Sequence, residues 1–413
     1  MADTVTKKRI LHIPNYYYPH IGGIEQVARD VVKSLEPDEY EQKVICFNED
    51  AAEEIAAGNS HVEHSAEKLV AGTDTAVQPI IDRRKENAID IVDGIEVIKC
   101  GCFIKKFSQS LSTSYAGILK RTIKEFKPDI IVFHYPNPFV TSFMLGMLPK
   151  DVKLIVYWHL DITKQKILGK LFKGQNMKLL RRADKVVATS PNYVEGSPFL
   201  SQFREKCIVV PNCMNEERLA ETEESKRIAK ELRENYPDKI ICLAVGRQVW
   251  HKGFDYLVRA SKALDDRFVF LLCGDGPEHE NLIKLAENDE KVLLPGRISD
   301  DELIAYYSAC DVFCFPSLTK SEAFGLVLAE AMSFGKPALT FTIPGSGVNY
   351  VSLDKVTGIE CLNGDQEALM MALKELADNS ELREKYGKAA KARVEENFLY
   401  KQFVDEIREL TIF

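Results

Sequence analysis

Residues 316–347 read PSLTKSEAFGLVLAEAMSFGKPALTFTIPGSG, and the rest of the chain is read outward from them. They follow Asp311-Val-Phe-Cys-Phe315, a short apolar run of the kind that forms a buried parallel strand. Pro316 and Ser317 end that strand, and a helix is expected from Ser321-Glu322 onward. Phe324, Leu326, Val327, Leu328 and Met332 give this helix a broad apolar surface. Gly335-Lys336-Pro337 closes it, since glycine suits a left-handed cap and proline cannot continue a helix.

Two acids interrupt the apolar surface, Glu322 at the mouth of the expected helix and Glu330 well inside it. A buried carboxylate is costly unless something hydrogen-bonds it, so Glu330 requires a partner. Eight helical residues rise about 12 Å, comparable to the reach from a sugar ring across a diphosphate to a ribose. Between the acids, the amides around Phe324, Gly325 and Leu326 open a helix, where an anion is stabilised. Gly325 removes a side chain where a ligand could approach the backbone. Two glutamates taken alone are better described as a core helix carrying one salt-bridged acid.

The surroundings change that balance. The run E-A-F-G-L-V-L-A-E, followed by A-M-S-F-G-K-P, closely resembles the Glu-x7-Glu motif of the retaining glycosyltransferases of family 4. The resemblance implies an α/β chain of the GT-B fold. Two Rossmann-like, doubly wound domains would face each other across a cleft, and a C-terminal helix would cross back to the first. It also implies sugar transfer, which composition does not show.

At 413 residues, with 45% hydrophobic content, the chain is long enough for two domains with full cores. A net charge of −8 argues against a nonspecific nucleic-acid binder, so no nucleic-acid partner is expected. No apolar signal region and no bilayer-spanning run is visible, and a cytoplasmic location, with contact to the inner membrane face, is expected. The ten cysteines lie mostly in apolar strand-like runs without a C-x-x-C pair, which points to reduced, buried thiols. His61-Val-Glu-His64 lacks further ligands and reads as surface sequence. With no Asp-x-Asp triplet, no metal site and no cofactor is expected.

In chain order, Arg9–Ile13 reads as a first strand and Ile24–Leu35 as an amphipathic helix. Between them, Gly22-Gly23 allows close backbone approach to phosphate at the ligand-binding edge of a parallel sheet. Tight turns also use such pairs; the resemblance to the family's N-terminal glycine loop favours donor binding. Residues 49–90 are polar and read as a long insertion. Further strands are expected at Ile95–Cys100, Asp129–His134, Lys153–His159, Lys185–Thr189 and Cys207–Pro211, with helices near Ser112–Phe126 and Pro138–Leu148. His134 and His159 fall at strand ends. A lone histidine is more often structural, but His159-Leu-Asp161 resembles the family's N-domain catalytic-site histidine.

Between Asp161 and Asp184 there are no acids, while Lys164, Lys166, Lys170, Lys173, Lys178, Arg181 and Arg182 alternate with apolar residues. An anionic membrane surface and plain solvent are equally good readings of this face. Residues 1–213 are expected to form the acceptor domain, 214–395 the donor domain, and 396–413 the returning helix.

In the second half, Lys239–Val245 reads as a strand leading into Gly246-Arg247, with Lys252-Gly253 close behind. A guanidinium fork and a movable ammonium suit a leaving diphosphate, and the run resembles the family's pyrophosphate motif. Phe268–Cys273 leads into Gly274-Asp275-Gly276, another turn at the ligand edge. Val292–Pro295 leads into Gly296-Arg297-Ile298, which in the family lies beside the base.

The resemblance therefore implies transfer of a hexose from a GDP- or UDP-linked donor to a glycan or lipid-linked glycan, as in bacterial polysaccharide synthesis. His159, Arg247, Lys252 and Glu322 would be the catalytic residues. Gly22, Gly23, Gly246, Gly274, Asp275, Arg297, Ile298, Phe324, Gly325, Leu326 and Glu330 would bind the donor. A nucleotide-sugar epimerase on a related fold and a non-catalytic nucleotide-sugar-binding subunit are the competing readings.

Overall fold

A computed structural model of the chain describes residues 7–20, 22–48, 85–106, 109–162 and 166–413, and divides into two compact units. The first comprises residues up to Tyr157 together with Lys170–Asp184; the second comprises Trp158–Gly169 and Lys185–Phe413.

Six strands form the sheet of the first unit: β1 (Lys8–Ile13), β2 (Tyr40–Phe47), β3 (Ala88–Val92), β4 (Ile95–Cys100), then β7 (Ile130–Tyr135) and β8 (Lys153–Trp158). A short antiparallel pair, β5 (Ile104–Lys106) and β6 (Gln109–Leu111), stands apart. The order is β8-β7-β1-β2-β4-β3; β1 pairs in parallel with β2 and β7, and β2 with β4. β7 buries every side chain and β1 its last four, which is why their apolar runs show no period-two alternation. Most of the expected insertion, residues 49–84, lies outside the described residues. Its end does not: Ala88–Val92 is a strand, antiparallel to β4, and forms the edge of the sheet with Ile89 and Ile91 exposed.

The second unit contains the parallel pair β9 (Lys185–Ala188) and β10 (Cys207–Val209). It also contains a fully parallel six-stranded sheet: β11 (Ile240–Val245), β12 (Phe268–Cys273), β13 (Val292–Gly296), β14 (Val312–Phe315), β15 (Ala338–Phe341) and β16 (Gly358–Cys361). Their order is β13-β12-β11-β14-β15-β16, so the winding reverses between β11 and β14. Two apolar cores flank this sheet, one beneath Phe313, Phe324 and Leu328 and one beneath Phe254, Phe270 and Leu373. The last helix, Tyr400–Leu410, ends against the start of β9, where Lys185 Nζ donates to the carbonyls of Leu410 (3.0 Å) and Ile412 (2.8 Å).

All ten cysteines are unpaired thiols. Burial pushes Cys46, Cys310 and Cys361 up to about 12, which keeps them protonated and unreactive.

One expectation about the deciding stretch is corrected. The helix does not begin at Ser321-Glu322 but at Leu326, running to Ser333. Gly325 precedes it at φ +92°, a left-handed conformation that other residues resist. Residues 316–325 form an irregular loop held from outside: the Ser346 hydroxyl donates to the Glu322 carbonyl, and the Gly347 N–H to that of Ala323 (3.1 Å). Glu322 and Glu330 are therefore not two turns of one helix, and the span between them is set by a loop plus the first helical turn.

Candidate active site

Open parallel sheets bind ligands outside the carboxyl ends of the strands where the winding reverses. In the second unit that point is the β11/β14 junction, and the loops leaving it are Gly246–Gly253 and Pro316–Gly325.

The first loop is built around Gln248, which is fully buried. Its side-chain amide donates to the Leu272 carbonyl (3.3 Å) and its Oε1 meets His279 Nδ1 (2.6 Å). Its backbone N–H donates to the Asp275 carbonyl (2.9 Å). With Gln248 fixed inward, Arg247 is left exposed, and it has no ion-pair partner among the described residues. The loop ends at Gly253, where a Cβ would stand 2.1 Å from the Pro316 carbonyl oxygen, so only glycine allows the two loops to meet. The Leu318 N–H donates to the His251 carbonyl at 2.8 Å, completing the seam.

That seam brings Lys252 against Glu322. Their ammonium and carboxylate form a direct ion pair, both mostly buried, and the ammonium also lies 4.9 Å from the centre of the Phe315 ring. Two charges expected from separate motifs thus meet at the strand switch.

Glu330 is 7% exposed and has the partner its burial demands. The Arg218 guanidinium pairs with one oxygen and the Tyr307 hydroxyl donates to the other at 2.9 Å. Burial and the adjacent carboxylate push the Tyr307 hydroxyl well above its usual range, so it stays a donor. Neither partner was legible in the sequence: Arg218 sits in a hydrophilic stretch, 112 residues from the acid it neutralises.

The remaining expected donor residues line neighbouring strand ends. Gly246, Gly274 and Gly296 are linked in sequence, Gly246 N–H to the Cys273 carbonyl (3.0 Å) and Gly274 N–H to that of Gly296 (2.7 Å). Asp275 lies 3.9 Å from Arg297, both well exposed, and Ile298 packs on the core. Phe324 buries its ring edge-on against Phe398 at 5.4 Å, so its side chain serves the core and its amide is what a ligand could use. Leu326 opens the helix behind Gly325. In the first unit, Gly22 precedes the helix Gly23–Lys33 that follows β1, and Gly23 is exposed. His134 is the penultimate residue of β7, at the strand end as expected, but it is buried and stacked on Tyr157 at 5.5 Å, which makes it part of the core.

His159 immediately follows β8 and is 4% exposed. Burial lowers its pKa from 6.5 to about 3, so the imidazole is neutral at physiological pH and acts as a hydrogen-bonding group. His12, fully buried in β1 and bonded to Gln42, is lowered to about 4 by the same cause. Both side chains therefore take up a proton more readily in the unfolded chain, so their contribution is complete above pH 6.5 and lost progressively as the pH falls below it. Glu406, raised to about 7 by burial and by Glu409, opposes this between pH 4.5 and 7. Unfolding free energy measured against pH should accordingly slope less steeply in His159→Asn, by about 1.4 kcal/mol per pH unit between pH 4.5 and 6. An unchanged slope would show that His159 takes its proton equally well in the folded protein.

Known proteins resemble this chain in both of its halves. The signature described as Glycosyltransferase Family 4 matches residues 21–218, and that described as Glycosyl transferases group 1 matches residues 225–393. The chain is 28% identical to O-antigen chain mannosyltransferase C of Escherichia coli, covering 96% of each protein. It is 26% identical to the D-rhamnosyltransferase WbpZ of Pseudomonas aeruginosa, covering 94% of this chain and 92% of that one. Among solved structures, Anabaena HepE in complex with UDP superposes with a TM-score of 0.72 at 17% identity, covering 97% of this chain and 99% of the other; its likeness concerns the fold, GT-B. With both halves matched by the family's signatures, the chain belongs to the family 4 glycosyltransferases.

Proposed function

We propose that this glycosyltransferase is a retaining, metal-independent hexosyltransferase that uses a GDP- or UDP-linked sugar to extend a glycan or lipid-linked glycan of a bacterial polysaccharide. The observation that carries the reading is the meeting of Lys252 with Glu322 at the β11/β14 switch, beside exposed Arg247. Arg247 and Lys252 would stabilise the charge that grows on the departing diphosphate. Glu322 and the amides of Phe324, Gly325 and Leu326 would hold the sugar, and Glu330 the ribose hydroxyls. Gly246, Gly274, Asp275, Arg297 and Ile298 would border the nucleotide, and the Gly22-Gly23 turn is proposed as a phosphate-binding amide loop in its own right. Neutral His159 would hydrogen-bond the sugar near its reacting carbon. No side chain of this set is placed as a nucleophile. Configuration would be kept by front-side displacement, the acceptor oxygen bonding to the anomeric carbon as its bond to phosphate breaks, and a phosphate oxygen taking the acceptor's proton.

A thermal-shift panel of GDP-, UDP- and dTDP-sugars, followed by transfer assays with the stabilising donor, tests this reading. GDP-mannose leads the panel because two relatives are named mannosyl- and rhamnosyltransferases. Interconversion of the sugars without transfer or hydrolysis would mean an epimerase, and binding alone a non-catalytic subunit.

Among the described residues no helix is long and apolar enough to cross a membrane. A lipid-linked acceptor would therefore require peripheral contact, and the helix Lys166–Arg182 is the proposed surface. Lys164 and the side chains of residues 166–171 fall outside the described residues. Leu179 and Leu180 are fully buried, and Arg182 is engaged with Asp184 and with the carbonyls of Pro149 and Val152. Lys173, Lys178 and Arg181 are exposed, so attraction to anionic lipid would be electrostatic. At about 1 kcal/mol per base near the surface, three charges are worth about a hundredfold in binding. Sedimentation with anionic vesicles should fall with rising salt and fall further when these three residues become glutamate. Equal, negligible pelleting with anionic and neutral vesicles would leave a solvated helix.

A further inference from the structure

Asp161 follows His159 by two residues and is 3% exposed, yet it is ionically paired. Its Oδ1 accepts hydrogen bonds from Trp158 Nε1 (3.0 Å) and the Ser197 hydroxyl (2.9 Å), and its Oδ2 from Lys320 Nζ (2.8 Å). Its backbone N–H donates to the Tyr193 hydroxyl at 2.6 Å. Lys320 Nζ donates in addition to the Gly196 carbonyl at 3.1 Å. All these residues belong to the second unit. Lys320 precedes Glu322 by two residues, as Asp161 follows His159 by two.

A buried ion pair is a poor source of stability, because desolvating two charges offsets most of their attraction. An apolar pair would hold the two loops together equally well. What a fully satisfied pair adds is geometry: the carboxylate has one donor set from Trp158 and Ser197 and a single place for an ammonium. The Glu322 side of the contact is equally constrained, since the Thr189 hydroxyl donates to the Ala323 carbonyl at 3.0 Å and the Ser346 hydroxyl to that of Glu322. We propose that Asp161 and Lys320 are a positioning pair, which sets the loop bearing His159 against the loop bearing Glu322 so that both reach the donor sugar together. The pair thus acts on turnover and leaves nucleotide affinity alone, which is carried by Glu330 and the strand-end loops. This inference rests on the roles proposed above for His159 and Glu322.

The deciding variant is the double substitution Asp161→Asn/Lys320→Met, which removes both buried charges, so that a single variant's failure to fold does not decide the matter. Turnover is measured with GDP-mannose, or with UDP-glucose if that is what the wild-type enzyme uses, together with the affinity for the matching nucleoside diphosphate. A displacement of the order of 1 Å between reacting groups lowers rate by about a hundredfold, so the double variant should lose about 10- to 100-fold in kcat. Nucleotide affinity should stay within about twofold, and Lys320→Met alone should cost about as much as the double variant, since the two charges act as one unit. A kcat within about threefold of wild type, or a parallel fall in kcat and nucleotide affinity, overturns the proposal. His159→Ala in the same assay separates the two levels. If it retains wild-type turnover, the role given to His159 fails; if it loses turnover while the double variant keeps it, only the pair fails.

Discussion

Replacing Arg247 with Ala, or Lys252 with Met, should lower kcat by about 10²–10³, with a much smaller change in donor affinity, while the wild-type rate survives EDTA. That magnitude is typical of removing one preorganised donor aimed at developing charge. The two substitutions differ in what they leave behind. Arg247 is exposed at the end of β11, so its removal should not alter the melting temperature, and its rate effect is free of folding artefacts. Lys252 is mostly buried against Glu322, and Lys252→Met leaves that carboxylate without its cation. Its effect therefore includes a disturbance of Glu322, and Glu322→Gln/Lys252→Met separates the two contributions by a double-mutant cycle. Loss of rate on chelation, restored by magnesium or manganese, would overturn the metal-independent mechanism. Equal losses in kcat/KM and donor affinity would assign the two bases to ground-state binding instead.

Glu330→Gln should weaken donor binding by about 1.5–3 kcal/mol, roughly 10- to 150-fold, through loss of charge-assisted bonds to ribose hydroxyls. The geometry makes this a sharp contest between two roles. Arg218 and Tyr307 each occupy one carboxylate oxygen, and an ionised carboxylate has about four acceptor positions, so roughly two remain for a ligand. If the acid serves only the core, the substitution should cost stability, because Arg218 loses its counter-charge, and donor affinity should not change. Calorimetric titration of the nucleotide sugar alongside thermal melting distinguishes these outcomes. Unchanged affinity in a folded variant would return Glu330 to the core.

The parallel strands of both units were legible because their apolar runs end in Gly, Pro or Ser turns. Burial of whole strands such as β7, β12 and β14 requires that composition. The local signals around residues 316–347 likewise marked the strand, the glycine break and the helix stop. They misplaced the helix start, because Glu322 to Phe324 have ordinary helix-compatible side chains. What holds them out of the helix is Ser346, Gly347 and Thr189, bonding to their carbonyls from distant parts of the chain. The edge strand β3 was missed for a related reason: it pairs on one side only and exposes Ile89 and Ile91, and its short apolar run was absorbed into the polar stretch that precedes it.

By itself, then, the sequence determined which residue types stand at each strand end, since those are local properties of composition and spacing. Only the tertiary structure decided which charges meet. Lys252 finds Glu322, Glu330 finds Arg218 and Tyr307, and Asp161 finds Lys320 across separations of 70, 112, 23 and 159 residues. Such pairings depend on the order of strands in the sheet and on the close approach that Gly253 permits, and no local pattern encodes either.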